Sequence, residues 1–197
     1  LAAMAGSLMK PCTMELGGHS PVIVMDDADV EGAADIMAAS KFRNAGQVCV
    51  SPTRFYVQEK AYDKFMSRFL EKVQKIKVGP GTEADTKMGP LAHKRRVPAI
   101  AGFVEDADAR GAKMLTGGHR IGDKGNFFEP TVVLDPPDDS KLMTEEPFGP
   151  ILGVKPFKTV DEAIERANSL PFGLAAYAFT KSTTNATKIG DALAMTL

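Results

Sequence analysis

Apolar and polar positions follow two rhythms along this chain, one of period two or continuous and one of period three to four. The run Pro21-Val22-Ile23-Val24-Met25 is apolar throughout, which predicts a strand covered on both faces in a parallel sheet. Asp26-Asp27-Ala28-Asp29 turns the chain and supplies an N-cap. A helix follows over Val30 to Phe42, with Ala33, Ile36, Met37 and Ser40 facing the core. Arg54 to Val57 restores the strand signal. From Glu59 to Lys75, the residues Tyr62, Phe65, Met66, Phe69, Leu70 and Val73 keep helical spacing with charges between them, and this aromatic stripe reads as core.

Weaker signals fill in the rest. Leu1 to Lys10, rich in Ala, Leu and Met, predicts a helix with a buried end, stopped by Pro11, and Cys12 to Glu15 a short strand. Lys77 to Pro90 is a loop. Lys94 to Arg110 is a helix that tolerates Pro98 in its first turn. Strands follow at Lys113 to Thr116, Thr131 to Leu134, Ile151 to Phe157 and Leu174 to Thr180. Helices lie at Val160 to Ser169, behind the cap Thr159, and at Thr183 to Leu193. Strands alternating with helices predict one α/β domain on an open, mostly parallel sheet.

Composition narrows the function classes. The 197 residues are 44% hydrophobic and 25% charged, enough for one sizeable core. A formal net charge of -1 gives no reason to expect nucleic acid or an acidic membrane surface as a partner. No apolar stretch reaches the roughly 18 to 20 residues of a membrane span. Two cysteines without paired metal-type spacing fit a reducing, cytoplasmic setting and no structural disulfide. His19, His93 and His119 share no ligand spacing, so surface or structural roles are expected for them. The basic run His93 to Arg96 reads as a solvated helix start.

Chemistry enters at Asn44-Ala45-Gly46-Gln47-Val48-Cys49, which sets a thiol on a helix-to-strand turn. Backbone N–H groups of a glycine-bearing turn favour a thiolate nucleophile. Taken alone, Cys49 reads as a small buried filler, and so does Cys12. Thirty-four residues before Cys49, Glu15 closes the short strand ahead of Gly17 and Gly18, placed to act as a general base; taken alone, it reads as an exposed charge. By the same reasoning Glu145-Glu146 is an exposed turn, Phe148 a core aromatic, and Arg54 a partner in a structural ion pair.

Glu15-Leu16-Gly17-Gly18, then Gly46-Gln47-Val48-Cys49, then Glu145-Glu146-Pro147-Phe148-Gly149-Pro150, in this order and spacing, resemble the NAD(P)-dependent aldehyde dehydrogenase superfamily, with a semialdehyde dehydrogenase flavour. Met88-Gly89-Pro90-Leu91 and Pro171-Phe172-Gly173-Leu174 extend the resemblance over nearly the whole chain. It implies an open, mostly parallel three-layer α/β sandwich of the aldehyde dehydrogenase catalytic-domain type. It also implies oxidation of an aldehyde to a carboxylic acid through a thiohemiacetal and a thioester on Cys49, with hydride passing to NAD or NADP. Glu15 would activate the hydrolytic water, Glu146 would hold the nicotinamide ribose, Phe148 would pack near the cofactor, and Leu16 would offer a backbone contact to the carboxamide.

Members of the superfamily are longer, with a Rossmann-like dinucleotide domain and a C-terminal segment that helps build a subunit interface. Residues 1–197 therefore read as the thiol-bearing catalytic domain without those two parts, inactive alone as a dehydrogenase and belonging to a homodimer or homotetramer. An exposed sheet edge near the point where the sequence stops, at Leu197, would favour self-association. The rival classes are a cysteine-dependent esterase or acyltransferase, which would need a histidine base, and a non-catalytic structural module.

Overall fold

The computed structural model describes residues 1–194. Its elements are α1 (Ala2–Ser7), β1 (Ser20–Val24), α2 (Val30–Phe42), β2 (Pro52–Gln58), α3 (Glu59–Gln74), α4 (Arg96–Ala109), β3 (Lys113–Thr116), β4 (Thr131–Leu134), α5 (Lys141–Thr144), β5 (Ile151–Phe157), α6 (Val160–Ala167), β6 (Tyr177–Phe179) and α7 (Thr183–Ala192). Six strands form one sheet in the order β3-β4-β5-β2-β1-β6. Only β3 runs antiparallel to its neighbour.

Side chains of the central strands divide between two cores because successive residues point to opposite faces. Val22, Val24, Phe55 and Val57 join α2, α3 and α4 on one face. Ile23, Tyr56 and Phe157 join α6 and α7 on the other. The result is the expected three-layer sandwich. On α3, Phe65 and Phe69 stack at 5.4 Å, and Phe69 meets Phe55 of β2 at 5.3 Å, so the aromatic stripe is core. Three helices carry side-chain caps. Asp29 accepts from the Gly32 N–H, Thr159 from Glu162 and Ser182 from Asn185.

Three expectations fail. First, α1 ends at Ser7 and has no buried residue, and Leu1, Met4 and Leu8 are exposed. Second, Cys12 to Glu15 is not a strand, because no neighbouring strand offers it a ladder, and Cys12 is exposed instead of filling a core. Third, Ile36 is 56% exposed; the covered stripe of α2 runs through Val30, Ala34, Met37, Ala38 and Lys41, one position round the helix, because α3 packs on that side. The last strand is also shorter than expected, and the four-residue α5 is too short to show any period.

Candidate functional site

The chain leaves α2 through a left-handed turn. Asn44, Ala45 and Gly46 all have positive φ, at 52°, 53° and 69°. For the two non-glycine residues such a conformation costs roughly 1–2 kcal/mol each, so something must hold it. Asn44 Nδ2 donates to the Gln47 carbonyl (2.9 Å), and Gln47 Nε2 donates back to the Asn44 carbonyl (3.0 Å). Gln47 Oε1 in turn accepts the Ala92 N–H. Gly46 can be nothing larger: a β-carbon there would collide with the Gly149 carbonyl and lie 3.2 Å from Lys41 Nζ.

Beyond this turn Cys49 is half-buried and free. Its N–H donates to no acceptor among the described residues. The following residues are pinned: the Ser51 N–H donates to the Val48 carbonyl, and the Tyr177 hydroxyl donates to the Val50 carbonyl at 2.6 Å.

Gly17 and Gly18 form the junction of the site. The Gly18 N–H donates to Glu146 Oε1 at 3.0 Å. A β-carbon on Gly18 would come 2.7 Å from the Cys49 carbonyl and 3.4 Å from Leu174, and one on Gly17 would strike the Glu146 carboxylate. Two adjacent glycines are needed because backbone must pass between a carboxylate and the thiol-bearing turn. The Glu15, Cys49 and Glu146 segments, far apart in sequence, therefore converge at this turn.

Glu15 stands in exposed coil, not at a strand end, since the predicted strand is absent. With Met14, Leu16, Pro171, Phe172 and Leu174 it lines a cleft of about 440 Å³. Its carboxylate makes no hydrogen bond or ion pair among the described residues. Glu146 is partly buried, so it is not simply an exposed turn residue, and Phe148 is 38% exposed at φ 41°, so it is not a core aromatic. Leu16 is 65% exposed. Arg96 of α4 donates to the Pro147 and Phe148 carbonyls and holds this segment in place.

The structure corrects the reading of Arg54. It has no carboxylate partner among the described residues; its guanidinium is fully buried and donates to the carbonyls of His19 (3.0 Å), Arg166 (3.0 Å) and Ala167 (2.9 Å). Two of these belong to the C-terminal turn of α6, where unpaired carbonyls concentrate negative charge. Arg54 thus anchors the start of the stretch that returns to the cleft at Pro171.

His19 is buried. Its Nδ1 lies 2.6 Å from Thr53 Oγ1 and its Nε2 is 3.0 Å from the Leu142 carbonyl, so both nitrogens are engaged away from Cys49. Burial, followed by the charge of Arg54, pushes its pKa down to about 3. His93 and His119 are exposed. An esterase-type cysteine–histidine pair is therefore not assembled from His19.

Three polar residues of this region carry no motif signal. Lys41 is fully buried, with its Nζ 3.2 Å from Ser51 Oγ. The one sequence clue is that Lys41 continues the apolar stripe of α2. Arg43 is exposed, with no ion pair among the described residues, and its charge acts on the Tyr177 hydroxyl beside Cys49. Tyr177 itself is placed there by β6.

Comparison with known proteins agrees with the resemblance. The aldehyde dehydrogenase family model matches residues 1–196. A mitochondrial succinate-semialdehyde dehydrogenase of Oryza sativa subsp. japonica is 45% identical over 192 residues, which are 96% of this chain and 36% of the rice protein. The solved structure of a succinate-semialdehyde dehydrogenase from Burkholderia pseudomallei matches with a TM-score of 0.93 at 40% identity, covering 98% of this chain and 40% of that one. A betaine aldehyde dehydrogenase from Staphylococcus aureus in complex with NAD+ matches with a TM-score of 0.91 at 36% identity, covering 98% and 39%.

Proposed function

The chain belongs to the aldehyde dehydrogenase family, and from that premise we propose that residues 1–197 are its thiol-bearing catalytic domain, with Cys49 as nucleophile and Glu15 as base. The observation that carries this reading is the Gly17-Gly18 junction, which places the Glu15 and Glu146 segments against the Cys49 turn.

The Cys49 thiolate attacks the carbonyl carbon of an aldehyde, forming a C–S bond and a tetrahedral oxyanion. The unpaired Cys49 N–H supplies a donor to that oxygen. A nicotinamide held at Glu146 and Phe148 would supply the hydride acceptor for this carbon. A thioester remains on Cys49. Glu15 takes a proton from a water that attacks the thioester; the C–S bond breaks, the carboxylic acid departs, the Cys49 thiolate is restored and Glu15 releases its proton to solvent.

The residues present suit a nicotinamide dinucleotide. Glu146 makes no ion pair among the described residues, and the carboxylate oxygen that does not accept the Gly18 N–H is suited to ribose hydroxyls. Phe148 and Leu16 are both partly exposed, which leaves them open to the ring side. No described helix is long and apolar enough to cross a membrane.

Glu15→Gln in the enzyme that carries this chain is expected to leave a burst of one NAD(P)H per thiol while steady turnover falls about a hundredfold. Loss of burst and turnover together would remove Glu15 from the hydrolytic step. The substrate is proposed to be a semialdehyde with a distal carboxylate, on the strength of the rice relative and of Arg43, an exposed cation beside Tyr177 without a carboxylate partner among the described residues. Arg43→Ala is expected to raise KM for the carboxylate-tailed aldehyde about tenfold and to spare an uncharged aldehyde of equal length. Equal effects on both would remove Arg43 from recognition.

A further inference from the structure

Lys41 has no part in the chemistry set out above, yet it occupies the interior of the site. It projects from the last turn of α2, and none of its surface is exposed. A buried ammonium is costly unless something compensates it. The one hydrogen bond of its amine among the described residues is to Ser51 Oγ, 3.2 Å away and two residues past Cys49. On its other side the amine lies 3.2 Å from the position of a β-carbon on Gly46, which is where the Gly149 carbonyl presses against the left-handed turn. The seam between the thiol-bearing turn and the Glu146–Gly149 segment thus runs past a single amine.

We propose that Lys41 is a positioning residue for the reaction at Cys49: its buried amine ties the thiol-bearing turn, through Ser51, to the segment that carries Glu146. The proposal rests on the reading of Cys49 as nucleophile. It follows from the position of the amine, bonded to Ser51 on one side and beside the close approach of Gly46 to Gly149 on the other.

The charge of the amine is part of the device. The titratable groups facing it are Glu146, from the segment between α5 and β5, and His19, immediately before β1. His19 is neutral at ordinary pH because burial holds its pKa near 3. Burial likewise pushes the Lys41 amine down to about 7, and the Glu146 carboxylate opposes that shift. Protonated and neutral amine can both donate to Ser51. Only the protonated form attracts Glu146 and so draws the two segments together. On the Cys49 side the facing groups are the Tyr177 hydroxyl and the Arg43 guanidinium.

The test is iodoacetamide labelling of this chain between pH 6 and 9 (roughly the span that brackets the Lys41 titration), read by mass spectrometry at Cys49 with exposed Cys12 as internal control. Lys41→Met is expected to slow Cys49 about tenfold at the acid end. The ratio of wild-type to variant rate should then shrink as the pH rises through about 7. Lys41→Arg keeps a cation at every pH, so its Cys49 rate should lack the wild-type inflection near 7; it serves also if the methionine variant does not fold. A ratio of one, or a slowing that is the same at every pH, would overturn the proposal, because a purely space-filling lysine would produce no charge-dependent term. Wild-type Cys49 labelling no faster than Cys12 would instead count against the nucleophile itself, which keeps the two failures distinct.

Discussion

Cys49→Ser in the enzyme that carries this chain is expected to abolish aldehyde oxidation, lowering turnover by about 10⁴-fold or more. A serine hydroxyl is not ionised near neutral pH, and His19 cannot take its proton, because both its nitrogens are engaged with Thr53 and Leu142. Without an adduct there is no tetrahedral carbon from which hydride can leave, so neither a burst nor steady turnover should remain. Cys12→Ser provides the contrast. Cys12 is exposed on the segment ahead of Glu15, and its loss should leave the rate unchanged. The check is the rate of NAD(P)H formation for both variants with unfolding midpoints in parallel. More than a tenth of the activity surviving in Cys49→Ser would defeat the covalent reading.

Acid is expected to destabilise the fold well before the carboxylates titrate, and His19 is the cause. In the unfolded chain this imidazole protonates near 6.5, whereas in the folded protein burial and Arg54 hold its pKa near 3. Between those values the unfolded state binds a proton that the folded state does not. Stability is therefore full above about 6.5 and falls as the pH drops towards 3. At two units below the unfolded pKa the loss is about 3 kcal/mol. Lys41 does not contribute to this slope, since its pKa is depressed only to about 7 and its own linkage lies on the alkaline side. Urea unfolding from pH 6.5 to 4.5, the upper part of the His19 window, should show the loss in the wild type, and His19→Gln, which keeps a donor and an acceptor, should flatten it. Parallel slopes for the two proteins would mean that His19 titrates normally in the fold.

The elements that were legible in the sequence are those whose signal is local. Val30 to Phe42 was predicted with both ends correct, because Asp29 caps one end and the apolar period defines the other. The strand at Ile151 to Phe157 and the helix behind Thr159 were equally plain. At the site, Cys49, Glu15 and Glu146 stood out through the order and spacing of three short motifs. Cys12 to Glu15 was misread as a strand because alternation measures only fitness for a ladder, and the ladder needs a neighbour that this segment lacks. Ile36 was assigned to the core for a similar reason: periodicity defines a stripe on α2, but α3 decides which flank of it is covered.

Taken by itself, the sequence determined the α/β class, the run of strands and helices, the glycine-bearing turn before Cys49 and the three motifs, all of which depend on residues a few positions apart. Only the tertiary structure decided that Glu146 receives the Gly18 N–H, 128 positions away, that Tyr177 reaches the Val50 carbonyl across 127, and that Arg54 binds the end of α6 instead of a carboxylate. Lys41 shows the difference most plainly. A lysine in a sequence is a solvated cation by default, and it becomes a buried amine beside the thiol turn only because packing removes the water around it.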